Sequence, residues 1–481
     1  MTPKLIFISF IVYTLLLFVV SWITSKKADN KSFFIGNKKS PWFVVAYGMV
    51  GASLSGVTFI SVPGWVGDTQ FSYMIVVLGY LVGYFVIAQI LLPLYYRLNL
   101  TSIYSYLESR FGYWSYKTGA FYFLLSRVIG ASFRMFLIVN VLQLFVFDAW
   151  GIPFGVTIAL FILLIWLYTF KGGIRTIVWT DTLQTTFMLL SVGISIYLIS
   201  DGLNLSLSSL VSAVSDSEYS KMVFTEWQDK RFVVKQFLSG AFIAIVMTGL
   251  DQDMMQKNLS CRNLKDAKKN IITLSWILVP VNLLFLFLGA SLYLFAIQKG
   301  IQIPELTDDL FPTIAIQHLG IFAGLVFIIG LIAAAYSSAD SALTALTTSF
   351  SVDFLNIEKK TDLTEKQRIR IRTIVHIGIS LLVLVVIIVF RTINNQAVIA
   401  KLFTIAGYTY GPLLGLYAFG LFTKFEVKDK WVPLIAILSP VLCYVLSIFS
   451  ESLFNGYKFG FELLIVNGLF TFIGLYLVKK N

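Results

Sequence analysis

A run of small and hydroxylated residues, Ala333, Ala334, Ala335, Tyr336, Ser337, Ser338, Ala339, Asp340, Ser341, Ala342, Leu343, Thr344, Ala345, Leu346, Thr347 and Thr348, lies inside an apolar segment of this chain. At helical spacing Ser337, Ser341, Thr344 and Thr348 form one stripe, and Asp340 shares a face with Ser337, Thr344 and Thr347. Hydroxyl and carboxylate oxygens are hard ligands, so adjacent Ser337 and Ser338 beside a carboxylate suit a small hard cation. The competing use of such hydroxyls is bonding back to their own helix or across to a neighbouring one. Charges inside apolar segments are costly and mark a site or an internal pair. Arg134, in the middle of its segment, carries a permanently protonated guanidinium that needs an anion, internal or bound. Arg127, two turns earlier, is expected to reach lipid head groups. Asp181 and Asp340 are expected to repel as two unpaired carboxylates unless a cation lies between them or one is protonated. Lys401 is expected to neutralise a carboxylate across the bundle, and His376 to be satisfied near the end of its segment.

These groups need a scaffold that exposes oxygen inside a bilayer, and the stretch from Trp42 to Val66 offers one. It is long and apolar enough to span, yet Gly51, Ala52, Ser53, Leu54, Ser55 and Gly56 interrupt its middle. An unpaired backbone carbonyl in hydrocarbon costs several kcal/mol, so an interrupted helix persists where a polar cavity takes over the freed groups. Unwound carbonyls at the midplane are how secondary carriers bind Na⁺ and meet their solute. A small-residue packing face without a break is the alternative.

The rest of the chain agrees with a polytopic membrane protein. Of its 481 residues, 57% are hydrophobic and 13% charged, a composition outside the soluble range. About thirteen segments of spanning length are expected, at 4–24, 41–66, 71–97, 117–147, 152–169, 176–200, 232–257, 270–298, 311–351, 372–391, 395–422, 431–449 and 460–478. The net charge of +12 comes from short loops. With the N-terminus outside, 26 of the 37 lysines and arginines fall on the inner side, Lys257 among them, and 8 on the outer. The positive-inside rule therefore puts the C-terminus in the cytoplasm. Nucleic acid is not needed to explain the basic balance.

Leu5 to Ile23 has no small-residue cleavage site after it and is read as a retained membrane helix. Cys261 and Cys443 form neither a disulfide framework nor a metal spacing. The 201–231 loop is too short for a soluble domain, so residues 1–481 are expected to be one membrane domain. No nucleophile with a base, metal cluster or phosphate loop is present in the sequence, which argues against an enzyme.

Several motifs in order resemble the sodium/solute symporter family. They are Tyr96 to Ser102 with Tyr106 to Phe111; Gly172, Gly173, Ile174 and Arg175 with Trp179, Thr180, Asp181 and Gln184; Gly249, Leu250, Asp251 and Gln252 with Gln256; the Ser337 and Ser338 pair; and Gly411 to Gly415 before Gly420, Leu421 and Phe422. The resemblance implies an all-α LeuT-type fold of five plus five helices in inverted repeats, at 41–200 and 232–422. One extra helix (4–24) would precede them and two (431–478) follow. The first helix of each repeat would be broken, by Gly51 and Gly56 in one and by Gly240 and Gly249 in the other. It implies a principal Na⁺ site of Gly51, Leu54, Ala334, Ser337 and Ser338, and a second in some members, here matched by Asp181 and Ser341. Asp340 stands where those members have Ser or Thr.

The broken helix reads Leu54, Ser55, Gly56, Val57, Thr58, Phe59, which looks more like sialic acid carriers than galactose carriers; the latter have Glu and Gln where Val57 and Thr58 stand. Arg134 falls near the position of a carboxylate-binding Arg. The implied activity is Na⁺-driven symport of a small carboxylate, such as sialic acid or a monocarboxylate, in a bacterial inner membrane, with one or two Na⁺ and no obligate protein partner. A neutral sugar or amino acid is the alternative solute. A non-transporting sensor of the same fold would need an appended signalling domain, which is not expected here.

Overall fold

The computed structural model describes residues 1–24, 38–169, 174–357, 359–360, 362–393 and 397–480. The loop lysines 26, 27 and 31, and Gly172 and Gly173, lie outside them. Among the described residues eight helices are long and apolar enough to cross a membrane, nine with a bent pair, counting Trp42–Arg97 once although Gln70 (φ 55, ψ −145) turns the chain between Trp42–Thr69 and Tyr73–Val86. Phe154–Thr169 and Leu463–Leu477 are shorter apolar helices. Their outer faces carry many exposed Leu, Ile and Phe side chains, as a lipid-facing surface requires.

Three helices form the centre. Trp42–Thr69, Ile174–Gly202 and Gly320–Ser349 pack on one another. Small residues let them approach: a Cβ on Gly48 would lie 3.0 Å from Asp181 Cβ, one on Gly51 2.3 Å from Thr185 Oγ1, and one on Gly330 2.5 Å from Ser191. The helix Tyr113–Leu142 meets the same group at Gly56, whose Cβ would lie 2.7 Å from Ile138.

Both expected breaks exist, at other residues than the glycines. Trp42–Thr69 departs from helical geometry at Ser55 (φ 52, ψ 178), a left-handed value that a serine adopts when its surroundings enforce it. Gly51 and Gly56 are contact points. In the second case Val233–Gly249 and Gln252–Leu259 are bent by 65° at Leu250 and Asp251, after a π-turn over Ile245–Gly249. Gly240 stays inside a regular helix, pressed so close to Val76 that a Cβ would lie 2.0 Å from its carbonyl oxygen. The half-helix Gln252–Leu259 begins cleanly because Asp251 caps it, accepting from Asp253 N at 2.9 Å and Met254 N at 3.3 Å.

Candidate functional site

At Ser55 the chain turns out of its helix, and Val57 N–H donates to Ser55 Oγ at 3.3 Å. Carbonyls of the preceding turn thereby lose regular helical donors at mid-bundle. Beside this break is a cavity of about 80 Å³ lined by Ser55, Thr58, Arg127, Arg134, Thr248 and Asn282, among others. Arg134 is buried, and its Nε has no hydrogen-bond partner among the described residues. Ser55 and Thr58 are buried on the same wall.

Arg127 does not reach for head groups. It is buried and ion-paired with Asp253, and its other terminal nitrogen lies 3.9 Å from Asp251 Oδ2. Tyr410 donates to that same Asp251 oxygen at 2.5 Å. The bent half-helix thus delivers two carboxylates to Arg127, and burial makes the exchange of water for a partner obligatory. Sequence reasoning assigned Asp251 and Asp253 no role. The signal was present in a capping Asp opening a short polar helix within a spanning segment.

The cavity is closed on one side by four rings. Trp65 and Tyr73 have centroids 6.1 Å apart, Tyr73 and Phe403 6.2 Å, Phe403 and Phe461 4.9 Å, and Trp65 and Phe461 6.1 Å. Beyond them opens a vestibule of about 960 Å³ whose walls include Glu226, Arg231, Glu305 and Lys458.

The hydroxyl stripe divides its work. Ser338 donates to Ala334 O at 3.0 Å, Ser341 to Ser337 O at 3.0 Å and Thr348 to Thr344 O at 2.9 Å, the back-bonding use of helical hydroxyls. Ser337 departs from it and donates across the bundle to Asp181 Oδ1 at 2.7 Å. The other oxygen of Asp181, Oδ2, holds Lys257 Nζ at 2.7 Å, with both side chains 1% exposed. The cation that Asp181 requires is a lysine of the same chain: Asp181 is the anion of a buried ion pair. Lys257, counted with the inner loops, is a core residue. Asp340 is fully buried and accepts from Ser341 N.

Gly51 N–H donates to Thr185 Oγ1 at 3.1 Å, and Thr185 in turn donates to Asp181 O at 2.7 Å. Gly51 and Leu54 precede the break, and Ala334, Ser337 and Ser338 lie on the packed helix opposite. Lys401 sits over the Phe390 ring at 5.6 Å. His376 is buried, with Nδ1 2.9 Å from Thr347 Oγ1.

A bundle of apolar helices with two bent or broken members around a small polar cavity defines a secondary carrier. The family model of the sodium:solute symporter family matches residues 33–425, and the chain belongs to that family. It is an integral membrane protein and a sodium-coupled solute transporter, not an enzyme. It is 26% identical over 432 residues to the sodium/sialic acid symporter SiaT of Proteus mirabilis, covering 85% of this chain and 82% of that protein. It is 25% identical to the sodium-coupled monocarboxylate transporter 1 of Mus musculus, covering 82% of this chain and 65% of that one.

Among solved structures, a substrate-bound, outward-open Na⁺-coupled sialic acid symporter superposes with a TM-score of 0.82 at 20% identity, covering 99% of this chain and 98% of that one. The nucleobase-cation symporter Mhp1 superposes at 0.56 with 16% identity, covering 93% of both chains. These likenesses place the fold in the LeuT-type class.

Proposed function

We propose that this carrier imports a small carboxylate together with Na⁺ by alternating access. The observation that carries this reading is Arg134, a buried guanidinium lining the cavity beside the break, while its neighbour Arg127 holds the nearby carboxylates. A guanidinium facing a polar cavity in the middle of a membrane is suited to a bidentate carboxylate. Ser55 and Thr58 would orient the rest of the solute. Na⁺ would bind the carbonyls of Gly51, Leu54 and Ala334 with the hydroxyls of Ser337 and Ser338, whose protons are donated elsewhere, leaving lone pairs for a cation.

The two bends, at Ser55 and at Leu250 to Asp251, support two inverted repeats, 41–200 and 232–422, within about thirteen transmembrane helices. Charge bias supports an outside N-terminus and a cytoplasmic C-terminus, in a bacterial inner membrane, with the chain working without an obligate partner.

The similarity to sialic acid and monocarboxylate carriers supports the anion. Size favours a short one in the closed arrangement. The cavity of about 80 Å³ is smaller than the roughly 150 Å³ that admits benzene, so a nine-carbon sugar acid would need the four rings to part. Uptake of labelled lactate, N-acetylneuraminate, proline and galactose into proteoliposomes, with and without an inward Na⁺ gradient, tests this. Gradient-driven uptake of lactate or N-acetylneuraminate is expected; uptake of galactose or of zwitterionic proline alone would overturn the net anion as solute.

A further inference from the structure

The principal Na⁺ site proposed above has a second cation next to it that the chain supplies itself. Lys257 Nζ lies 2.7 Å from Asp181 Oδ2, and Asp181 Oδ1 accepts the Ser337 hydroxyl at 2.7 Å. Both oxygens of Asp181 are therefore engaged, one by an ammonium and one by a hydroxyl hydrogen. The Ser341 hydroxyl donates to Ser337 O at 3.0 Å. A Na⁺ seated on Asp181 would stand within a few ångströms of the ammonium, where two unit positive charges on one buried carboxylate repel strongly, so the two cations compete for this position.

Lys257 has a fixed path to this position. It sits six residues past Asp251, on the half-helix Gln252–Leu259 that the 65° bend turns inward, and it is 1% exposed. The carboxylate of Asp181 is the counter-charge that holds it there.

Ser337 links this pair to the principal site. Its hydroxyl has one hydrogen, and Asp181 takes it, so the oxygen lone pairs are turned away from Asp181. The ion pair therefore also fixes which way Ser337 presents its acceptor side.

We propose that the Lys257 ammonium occupies the second cation position at Asp181, so that the carrier binds one Na⁺ per chain, and that removing the ammonium opens this position to a second Na⁺. The inference rests on the reading of Ser337 and Ser338 as Na⁺ ligands.

Equilibrium binding of radiolabelled Na⁺ to the purified full chain in detergent decides it. The wild type should bind one Na⁺ per chain. Lys257→Met should bind two, with a Hill slope above one, whereas Lys257→Arg should still bind one. The charge-balanced double variant Asp181→Asn with Lys257→Met should also bind one, and it tests the idea should the single variant fail to fold. Two Na⁺ in the wild type, one in a folded Lys257→Met, or two in the double variant would each overturn the proposal. No saturable Na⁺ binding by the wild type would instead overturn the principal site, and a wild type binding two Na⁺ would leave that site standing.

Discussion

Arg127 and Arg134 stand two turns apart on one helix, yet one is ion-paired with Asp253 and flanked by Asp251 while the other turns into the cavity with its Nε unpartnered among the described residues. The same residue type does two jobs, set by what the bent half-helix brings opposite each.

Their substitutions should behave differently. Arg127→Ala leaves Asp253 buried without its cation, a loss of about 3–5 kcal/mol, and should lower the unfolding temperature in detergent whether or not solute is present. Arg134→Ala should unfold near the wild-type temperature in the absence of solute but lose the stabilisation that a carboxylate gives the wild type. Arg134→Lys should regain little of it, because an ammonium cannot reproduce two parallel hydrogen bonds. Thermal unfolding with and without lactate and N-acetylneuraminate reads all three.

Ser337→Ala with Ser338→Ala removes two of the proposed Na⁺ ligands. The Na⁺ concentration for half-maximal uptake should rise severalfold in a chain that still folds and inserts. An unchanged Na⁺ dependence would remove the serine pair from the ion site.

Asp308 lies in the connection before the Gly320–Ser349 helix, buried, with Oδ2 accepting Val398 N–H at 2.9 Å and Oδ1 unpartnered among the described residues. Burial pushes its carboxyl up to about 6, against the opposing pull of the Val398 N–H. Folding therefore favours the protonated form. The cost of burying the charge, about 3 kcal/mol for a shift of this size, is present above pH 6 and is relieved as pH falls from 6 towards 3.8. Asp308→Asn keeps the acceptor for Val398 and should be more stable than the wild type at pH 7.5, with the advantage falling to about half by pH 5 and vanishing towards pH 3.8. Paired melting curves across that range check the sign.

The four rings should act as a plug between vestibule and cavity. Phe461→Ala removes the ring that contacts both Trp65 and Phe403. In that background Thr58→Cys should react with a membrane-impermeant thiol reagent at least several times faster than Thr58→Cys alone. Equal labelling rates would show that the rings do not limit access.

Much of this protein is determined by local sequence. Apolar segments of spanning length dictate helices, because hydrocarbon leaves the backbone no other partner, and Ser337 with Ser338 in such a segment already points to the hard-cation position proposed here. The interruption between Gly51 and Gly56 foretells a break, and Arg134 at mid-segment the anion site proposed here. Tertiary structure alone decided the rest. Ser55, not a glycine, takes the left-handed turn, since the glycines are used up where Thr185 and Ile138 press against the helix. Lys257 reaches Asp181 across 76 positions of sequence, and Arg127 reaches Asp253 across 126. No periodicity encodes such pairs. Which buried charge finds a partner, and which is left facing the cavity, depends on how separate helices bend and pack.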